Sequence, residues 1–317
     1  MSTRVPLVYG AAAFGAEGTI TTRIHELAEC QKSVDYFVGK GFKVFDTSRV
    51  YGDGTSEEYL AKLDLKGAVV DTKAYVHSPG DHSPEKLRES LQASLKALHP
   101  HKVRVFFLHV PDRSIPYEET LRGVNELYKE GLFEEFGLSN YTAWEVSEIA
   151  TIAKLKGWIR PTVYQGLYNA LERNVETELF PCLRKHGLRF HAFSPLARGL
   201  LAGTNMMSPA PGSRWDISSS PMASGLLAKY QDYGVIVQQL MQSLEKYNLS
   251  GAETALRWLQ HHSCLTPEDA VIIGASSLRQ LEANVTDSEK GALPSEVVTL
   301  LDEVWTTYKG RAPPYFR

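Results

Sequence analysis

Four side chains in the first third of the chain, Asp46, Tyr51, Lys73 and His109, have the types and placement for proton chemistry. Asp46, Lys73 and His109 each close an apolar run (Val44-Phe45, Val69-Val70 and Phe106-Phe107-Leu108), and Tyr51 follows Asp46 in the next loop. Burying such groups one at a time is expensive, so the economical arrangement pairs them in one site. Singly, Asp46 and Lys73 also fit a plain buried ion pair and His109 a hydrogen-bonded core histidine. The tyrosine in the adjacent loop favours the shared site. A lysine ammonium stabilises a neighbouring phenolate, so Lys73 is expected to draw the Tyr51 hydroxyl down from ~10 toward a value suited to proton donation at neutral pH. Asp46 would keep Lys73 charged, and His109 would orient a substrate carbonyl or share the proton. This set polarises a C=O and protonates the resulting alkoxide. It holds no hydride, so a cofactor must bring one.

Other residues suit that cofactor. Ser139, Asn140 and Gln165 offer hydrogen bonds to a carboxamide, and Phe193 offers a face for a flat ring. The turn Gly274-Ala275-Ser276-Ser277 runs straight into a helical segment, a place where a phosphate binds. Arg198, Arg214 and Arg279 are cationic candidates for phosphate, although each also fits a solvated surface position.

The elements that must position these groups alternate along the chain. Strand-length apolar runs are predicted at Leu7 to Ala12, Lys43 to Thr47, Ala68 to Lys73, Val103 to His109, Glu134 to Ser139, Thr162 to Gln165, Arg189 to Ser194 and Ala270 to Gly274. Helical periods lie between them at Ile24 to Gly41, Ser56 to Asp64, Pro84 to Leu98, Glu118 to Glu130, Trp144 to Lys156, Val175 to His186 and Val235 to Tyr247, with Leu278 to Glu289 after the last. About eight βα units close a (β/α)₈ TIM barrel, whose chemistry sits at the C-terminal ends of its strands, where all the named candidates fall. Ser250 to His262 and Ser295 to Lys309 are read as two appended helices. Gly203 to Gly225, with Met206, Met207 and the Ser218 to Ser220 run, is read as a long loop after strand seven, placed to fold over a ligand. No Gly, Ser or Pro-rich linker divides the chain, so residues 1–317 form one domain.

Composition agrees with a self-sufficient core and excludes several partners. Of 317 residues, 43% are hydrophobic and 22% charged, and 34 Lys and Arg against 37 Asp and Glu leave no basic excess for nucleic acid. No apolar run approaches the ~18 residues of a membrane helix. Arg4 followed by apolar Val5 to Ala13 faintly imitates a secretory signal but reads better as a strand entering a loop. Three dispersed cysteines fit a reducing, cytoplasmic setting. His261, His262 and Cys264 lack metal-ligand spacing, so no metal is expected.

At these residues the chain resembles the aldo-keto reductases. FDTSRVYGDGTSEEYL (Phe45 to Leu60), DTKAYV (Asp71 to Val76), FFLHVPD (Phe106 to Asp112), FGLSNY (Phe136 to Tyr141), YQGLYN (Tyr164 to Asn169), FSPLARGLLAG (Phe193 to Gly203) and VIIGASSLRQLEANV (Val271 to Val285) fall in the family's order. With RWLQHHS (Arg257 to Ser263) and the terminal PYFR, the pattern looks closest to the aflatoxin-aldehyde and succinic-semialdehyde reductase branch.

The resemblance implies a catalytic tetrad of Asp46, Tyr51, Lys73 and His109, with Tyr51 as proton donor. It implies that Ser139, Asn140 and Gln165 hold the nicotinamide amide, with Phe193 stacked on the ring. Ser194, Leu196, Gly199 and Arg214 would clasp the pyrophosphate. Ser276, Gln280 and Asn284 would hold the adenosine 2′-phosphate and adenine, hence NADPH/NADP+; Gln280 stands where many relatives carry arginine, leaving Arg279 to supply charge. Small residues at Ala11 to Ala13 imply a roomy pocket beside Phe14, and Trp215 would close over cofactor or substrate. Arg317 is a candidate anchor for an anionic substrate, whereas Ser219 to Leu227 lacks the basic residues with which semialdehyde reductases grip succinic semialdehyde. The expected function is NADPH-dependent reduction of a small-molecule aldehyde or ketone by a homodimer. The rivals are a narrow-specificity secondary-metabolite enzyme and a redox-sensing NADPH-binding subunit.

Overall fold

In the computed structural model, which describes residues 3–206, 208–211, 213–218, 220–230 and 232–317, eight parallel strands close into a barrel in chain order. The strands are β1 (Leu7–Gly10), β2 (Val44–Asp46), β3 (Val69–Ala74), β4 (Val103–Leu108), β5 (Glu135–Ser139), β6 (Pro161–Leu167), β7 (Arg189–Phe193) and β8 (Ala270–Ile273). The helices are α1 (Leu27–Gly39), α2 (Thr55–Ala61), α3 (Pro84–Leu98), α4 (Tyr117–Lys129), α5 (Ala143–Lys156), α6 (Leu179–His186), α7 (Ala223–Tyr230), α8 (Tyr233–Glu245), α9 (Gly251–His261), α10 (Leu278–Ser288) and α11 (Ser295–Tyr308). The expected (β/α)₈ architecture is therefore present.

Local chemistry explains the boundaries. Ser83 caps α3, its hydroxyl accepting from the Lys86 amide, and Pro84 fills the first helical position. Thr142 and Glu145 form a reciprocal capping box on α5. That helix and α6 stop at Gly157 and Gly187, whose φ of 66° and 75° suit a residue without Cβ. The α1 helix starts later than its apolar period because Ile24 instead bridges to Phe14.

Two expectations about the chain after β7 need correction. The segment read as loop ends in the helix α7, so among the described residues three helices rather than two separate β7 from β8. It is α9, and not α8, that packs beside α10 in the ring, while α8 packs on α11. Gln260 of α9 explains this: its side chain bonds both the N–H and the C=O of Val5, just before β1, at 2.8 and 3.0 Å. The apolar period of α8 is satisfied equally well by a partner helix as by the barrel, and periodicity does not distinguish the two. Met207 and Ser219 lie outside the described residues.

One large apolar cluster fills the layer between strands and helices. Smaller clusters, Val8 with Ala270 and Ile272, and Val105 with Phe107 and Val163, accompany it. Polar groups then appear at the strand ends. Among the described residues no helix is long and apolar enough to cross a membrane.

Candidate active site

Asp46 ends β2 and Lys73 lies one residue from the end of β3, and the parallel register brings their side chains together. The Lys73 ammonium, fully buried, donates to both Asp46 oxygens and to the Thr47 carbonyl, each at 2.7 Å. A fully buried cation needs such saturation, since unpaired it would lose its hydration for nothing. Burial by itself would lower the Lys73 pKa; Asp46 more than offsets it, so the lysine stays charged. Gln165, from β6, donates its amide to Asp46 Oδ1 at 2.7 Å and braces the pair from across the barrel.

Tyr51 begins a 3₁₀ turn after β2, and its ring centre lies 5.1 Å from Lys73 Nζ. Burial pushes the phenol pKa up, Lys73 pulls it down, and the balance stays above the ordinary tyrosine value. The expected net lowering is thus absent: Lys73 acts as foreseen, but burial costs the phenolate more than one ammonium, itself shared with Asp46, returns. The hydroxyl is protonated at neutral pH, the state a proton donor requires.

His109 follows β4 and stands edge-on to Tyr51, with ring centres 5.8 Å apart and planes at 88°. Burial, then the charges of Lys73 and Arg317, holds it well below the ordinary histidine range, so the ring is neutral. Its main chain is fixed on both sides, the N–H donating to Ala74 and the C=O accepting from the Asn140 amide, both at 2.8 Å. Its Nδ1 lies 3.2 Å from the Ser48 hydroxyl. Tyr75 also stands edge-on to the ring, with centres 5.3 Å apart.

The residues expected to hold a cofactor line the same barrel mouth. Ser139 ends β5 and Asn140 follows it, the Asn140 amide donating to Ser139 Oγ at 2.9 Å. Among the described residues the amide oxygens of Asn140 and Gln165 carry no hydrogen bond. Phe193 ends β7 with part of its ring open. After it the backbone is left-handed at Ser194, Ala197, Arg198 and Gly199. Strain on three non-glycine residues within one loop is tolerated where a ligand site demands the path. Arg214 lies on the same loop, and the surrounding protein, then the charges of Arg198 and Arg23, lower its pKa. Only Arg198 of the three has an acidic partner among the described residues, Glu172 at 3.4 Å. Beyond β8, Ser277 caps α10, the Gln280 side chain accepts from Ser276 N and Oγ at 2.9 and 2.7 Å, and Asn284 donates to the Gly274 carbonyl at 3.1 Å. Leu196 is half-buried and Arg279 exposed.

The substrate-side expectations divide. Phe14 is fully buried against Tyr9 at 5.2 Å, so it belongs to the core and does not face a pocket. Trp215 is 1% exposed, donates to the Arg198 carbonyl at 3.2 Å and packs on Tyr230, so it anchors its own loop. Arg317, in contrast, reaches the site: its N–H donates to the Asn140 carbonyl at 3.0 Å, and its charge acts on Tyr51 and His109. Arg113, paired with Glu145 at 2.7 Å, donates to the Arg317 main-chain oxygen at 2.8 Å and latches this tail.

Sequence reading missed Ser48, Tyr75 and Lys229. Tyr75 was legible, being two residues beyond Lys73, just past the end of β3. Lys229 of α7 feels Arg198 and Arg317, which only the fold of that segment reveals. His261 and His262 have structural duties, with Nε2 of the first 2.8 Å from the Lys290 carbonyl and Nε2 of the second accepting from the Leu293 amide.

A sequence model of the Aldo/keto reductase family matches residues 6–306. The chain belongs to the aldo/keto reductase family. An aldo-keto reductase of Pseudocercospora fijiensis is 42% identical, covering 86% of this chain and 95% of its own length. Human aldo-keto reductase family 7 member A3 is 43% identical over 89% of this chain and 90% of its own, and human aflatoxin B1 aldehyde reductase member 4 is 41% identical over 88% and 89%. The resemblance to the aflatoxin-aldehyde reductase branch is borne out, and this aldo-keto reductase is an oxidoreductase.

Proposed function

We propose that the protein reduces an aldehyde or ketone to the alcohol with NADPH, Tyr51 giving the proton. The observation that carries this reading is Lys73, bound to both Asp46 oxygens and centred 5.1 Å from the Tyr51 ring: a saturated buried ion pair set beside a protonated phenol. When bound, the nicotinamide supplies the hydride to the carbonyl carbon. The chain's part is electrostatic and protic. Lys73 stabilises negative charge on Tyr51 Oη as its proton leaves for the substrate oxygen, and neutral His109 stands edge-on beside the Tyr51 ring.

The amide oxygens of Asn140 and Gln165 fit a carboxamide, Phe193 fits one ring face, and the positive charge of Arg214 and Arg198 on the loop after β7 fits a pyrophosphate. Ser194, Leu196 and Gly199 belong to that clasp, with Ser139 beside the carboxamide. Ser276, Gln280 and Asn284, with Arg279 adjacent, form the adenosine end; an exposed arginine at a helix N-terminus favours the 2′-phosphate and so NADPH over NADH. Arg317, with Lys229 nearby, supplies positive charge where an anionic group of the substrate would lie. A cytoplasmic homodimer completes the proposal.

The test is one titration. NADPH is added to the purified protein, and its absorbance is then followed against a panel of neutral aldehydes, acidic aldehydes, dicarbonyls and ketones. Binding with oxidation by panel members supports the reading, with acidic members preferred if Arg317 acts. Binding without oxidation by any member favours the sensing subunit or the narrow-specificity enzyme, and failure to bind removes the cofactor assignment.

A further inference from the structure

We propose that the ion pair between Arg49 and the buried Glu57 positions Tyr51, tying the turn that carries the phenol to the strand that carries Lys73; this role rests on the reading of Tyr51 as proton donor.

Tyr51 heads a 3₁₀ turn in which Gly52, Asp53 and Gly54 follow one another in the left-handed region, with φ of 56°, 54° and 92°. Such a run costs energy at Asp53, which has a Cβ, and persists only where its surroundings over-determine it. Two holds meet it. On one side the Gly52 N–H donates to Thr21 Oγ1 at 2.9 Å, and the Gly52 carbonyl accepts from Thr55 Oγ1 at 2.5 Å. On the other, Arg49 lies across Gly54 so closely that a Cβ there would collide with its guanidinium, and its Nη1 donates to Glu57 Oε2 at 2.8 Å. One side chain thus starts two residues before Tyr51 and closes on the last residue of the turn.

Glu57 makes this hold more than local. Its other oxygen, Oε1, accepts from Thr72 Oγ1 at 2.6 Å, and Thr72 immediately precedes Lys73 in β3. Successive strand residues face opposite ways, so Lys73 points into the barrel while Thr72 points out toward α2. One carboxylate is therefore the common reference for the turn of Tyr51 and the strand of Lys73. Support of α2 alone does not account for it. Glu58, in the same first turn, favours the helix N-terminus from an exposed position, whereas Glu57 is fully buried, at a desolvation cost that the Arg49 and Thr72 bonds must offset.

The attraction between Lys73 and a developing phenolate falls with distance, and proton transfer to a substrate oxygen tolerates little misplacement of the donor. Arg49 and Glu57 are positioning residues, acting through the turn.

The experiment compares Arg49→Met, Arg49→Lys and the double variant Arg49→Met/Glu57→Met, which leaves no carboxylate stranded should the single methionine variant not fold. The methionine variants should lose about tenfold to a hundredfold in kcat for carbonyl reduction by NADPH, with little change in KM. The upper limb of their pH profile of kcat, where the proton donor is spent, should move to higher pH as Lys73 loses its pull on the phenolate. Arg49→Lys, whose ammonium still reaches Glu57, should recover part of the lost kcat. A crystal structure of a methionine variant should show the Tyr51 ring displaced from its 5.1 Å separation from Lys73 Nζ. A ring still at that separation overturns the proposal, as does a kcat loss with an unmoved pH profile and no recovery in Arg49→Lys. The crystallographic result needs no turnover, so failure of the reductase reading, seen as no carbonyl reduced by the wild type, is told apart from failure of this one.

Discussion

Lys73 and Asp71 stand on the same face of β3, two residues apart, yet they belong to charged clusters of opposite design. Below, Asp71 takes a bidentate bond from Arg104 (2.9 and 2.5 Å) and the Val105 amide at 3.2 Å. Glu135 in turn bonds Arg189 and Thr162, both at 2.7 Å. Here every charge faces a counter-charge supplied by the barrel itself. Above, the Lys73 and Asp46 pair is equally saturated, but around it stand a phenol, a neutral imidazole and two amide oxygens with no hydrogen bond among the described residues. The lower cluster is closed and the upper one keeps capacity in reserve. A closed network serves stability, whereas polar groups left without protein partners at a barrel mouth serve a ligand.

The sharpest test of that contrast removes one oxygen. Tyr51→Phe should cut turnover by about 10²–10⁴-fold, the usual worth of a general acid, while NADPH binding measured by fluorescence titration persists. Wild-type turnover in this variant would show that the open cluster does not house the proton donor.

Breaking one charge in each cluster comes next. Arg104→Ala and Lys73→Met each strand a buried carboxylate and should each cost about 3–5 kcal/mol in denaturant unfolding. Only Lys73→Met should also abolish turnover in the protein that remains folded. Equal loss of kcat in folded Arg104→Ala would erase the distinction between the two clusters.

Acid sharpens the comparison further. His191, buried near Arg104 and Arg189, is pushed down to about 3, and His82, buried below the rim, to about 4, in both cases by burial first. Both are neutral in the fold and protonate more readily when unfolded, so their contribution is present above the unfolded value of ~6.5 and lost as pH falls toward 4. Each should tilt stability by about 1.4 kcal/mol per pH unit in that window. A melting series from pH 7 to 4 should therefore flatten in His191→Leu; an unchanged slope would mean the lower cluster does not hold that histidine neutral.

Much of this arrangement was legible from one chain. Apolar runs ending in Asp46, Lys73 and His109 announced inward-facing strand ends, because a charge after buried residues must find a partner. The alternation of periods announced the barrel. Phe14 and Trp215 misled for one reason: a large aromatic in a loop near a pocket is equally good packing material, and the sequence contains no term for which way the loop folds. His82 follows Pro79, Gly80 and Asp81, residues of turn type, yet its ring is buried. Helix α7 lay hidden in a stretch whose composition is that of a loop.

By itself, then, the sequence determined the strand and helix order, the eight-fold closure and the residues bearing proton chemistry, because these follow from periodicity and from the cost of burying charge, both local properties. Tertiary structure decided the rest: that burial outweighs Lys73 at Tyr51, that Ser48 lies between the Lys73 carbonyl and an imidazole, that α9 and not α8 completes the ring, and that Arg317 returns to the mouth of the barrel. Each of these depends on distances between residues far apart in the chain, and electrostatic and hydrogen-bond energies are functions of those distances alone.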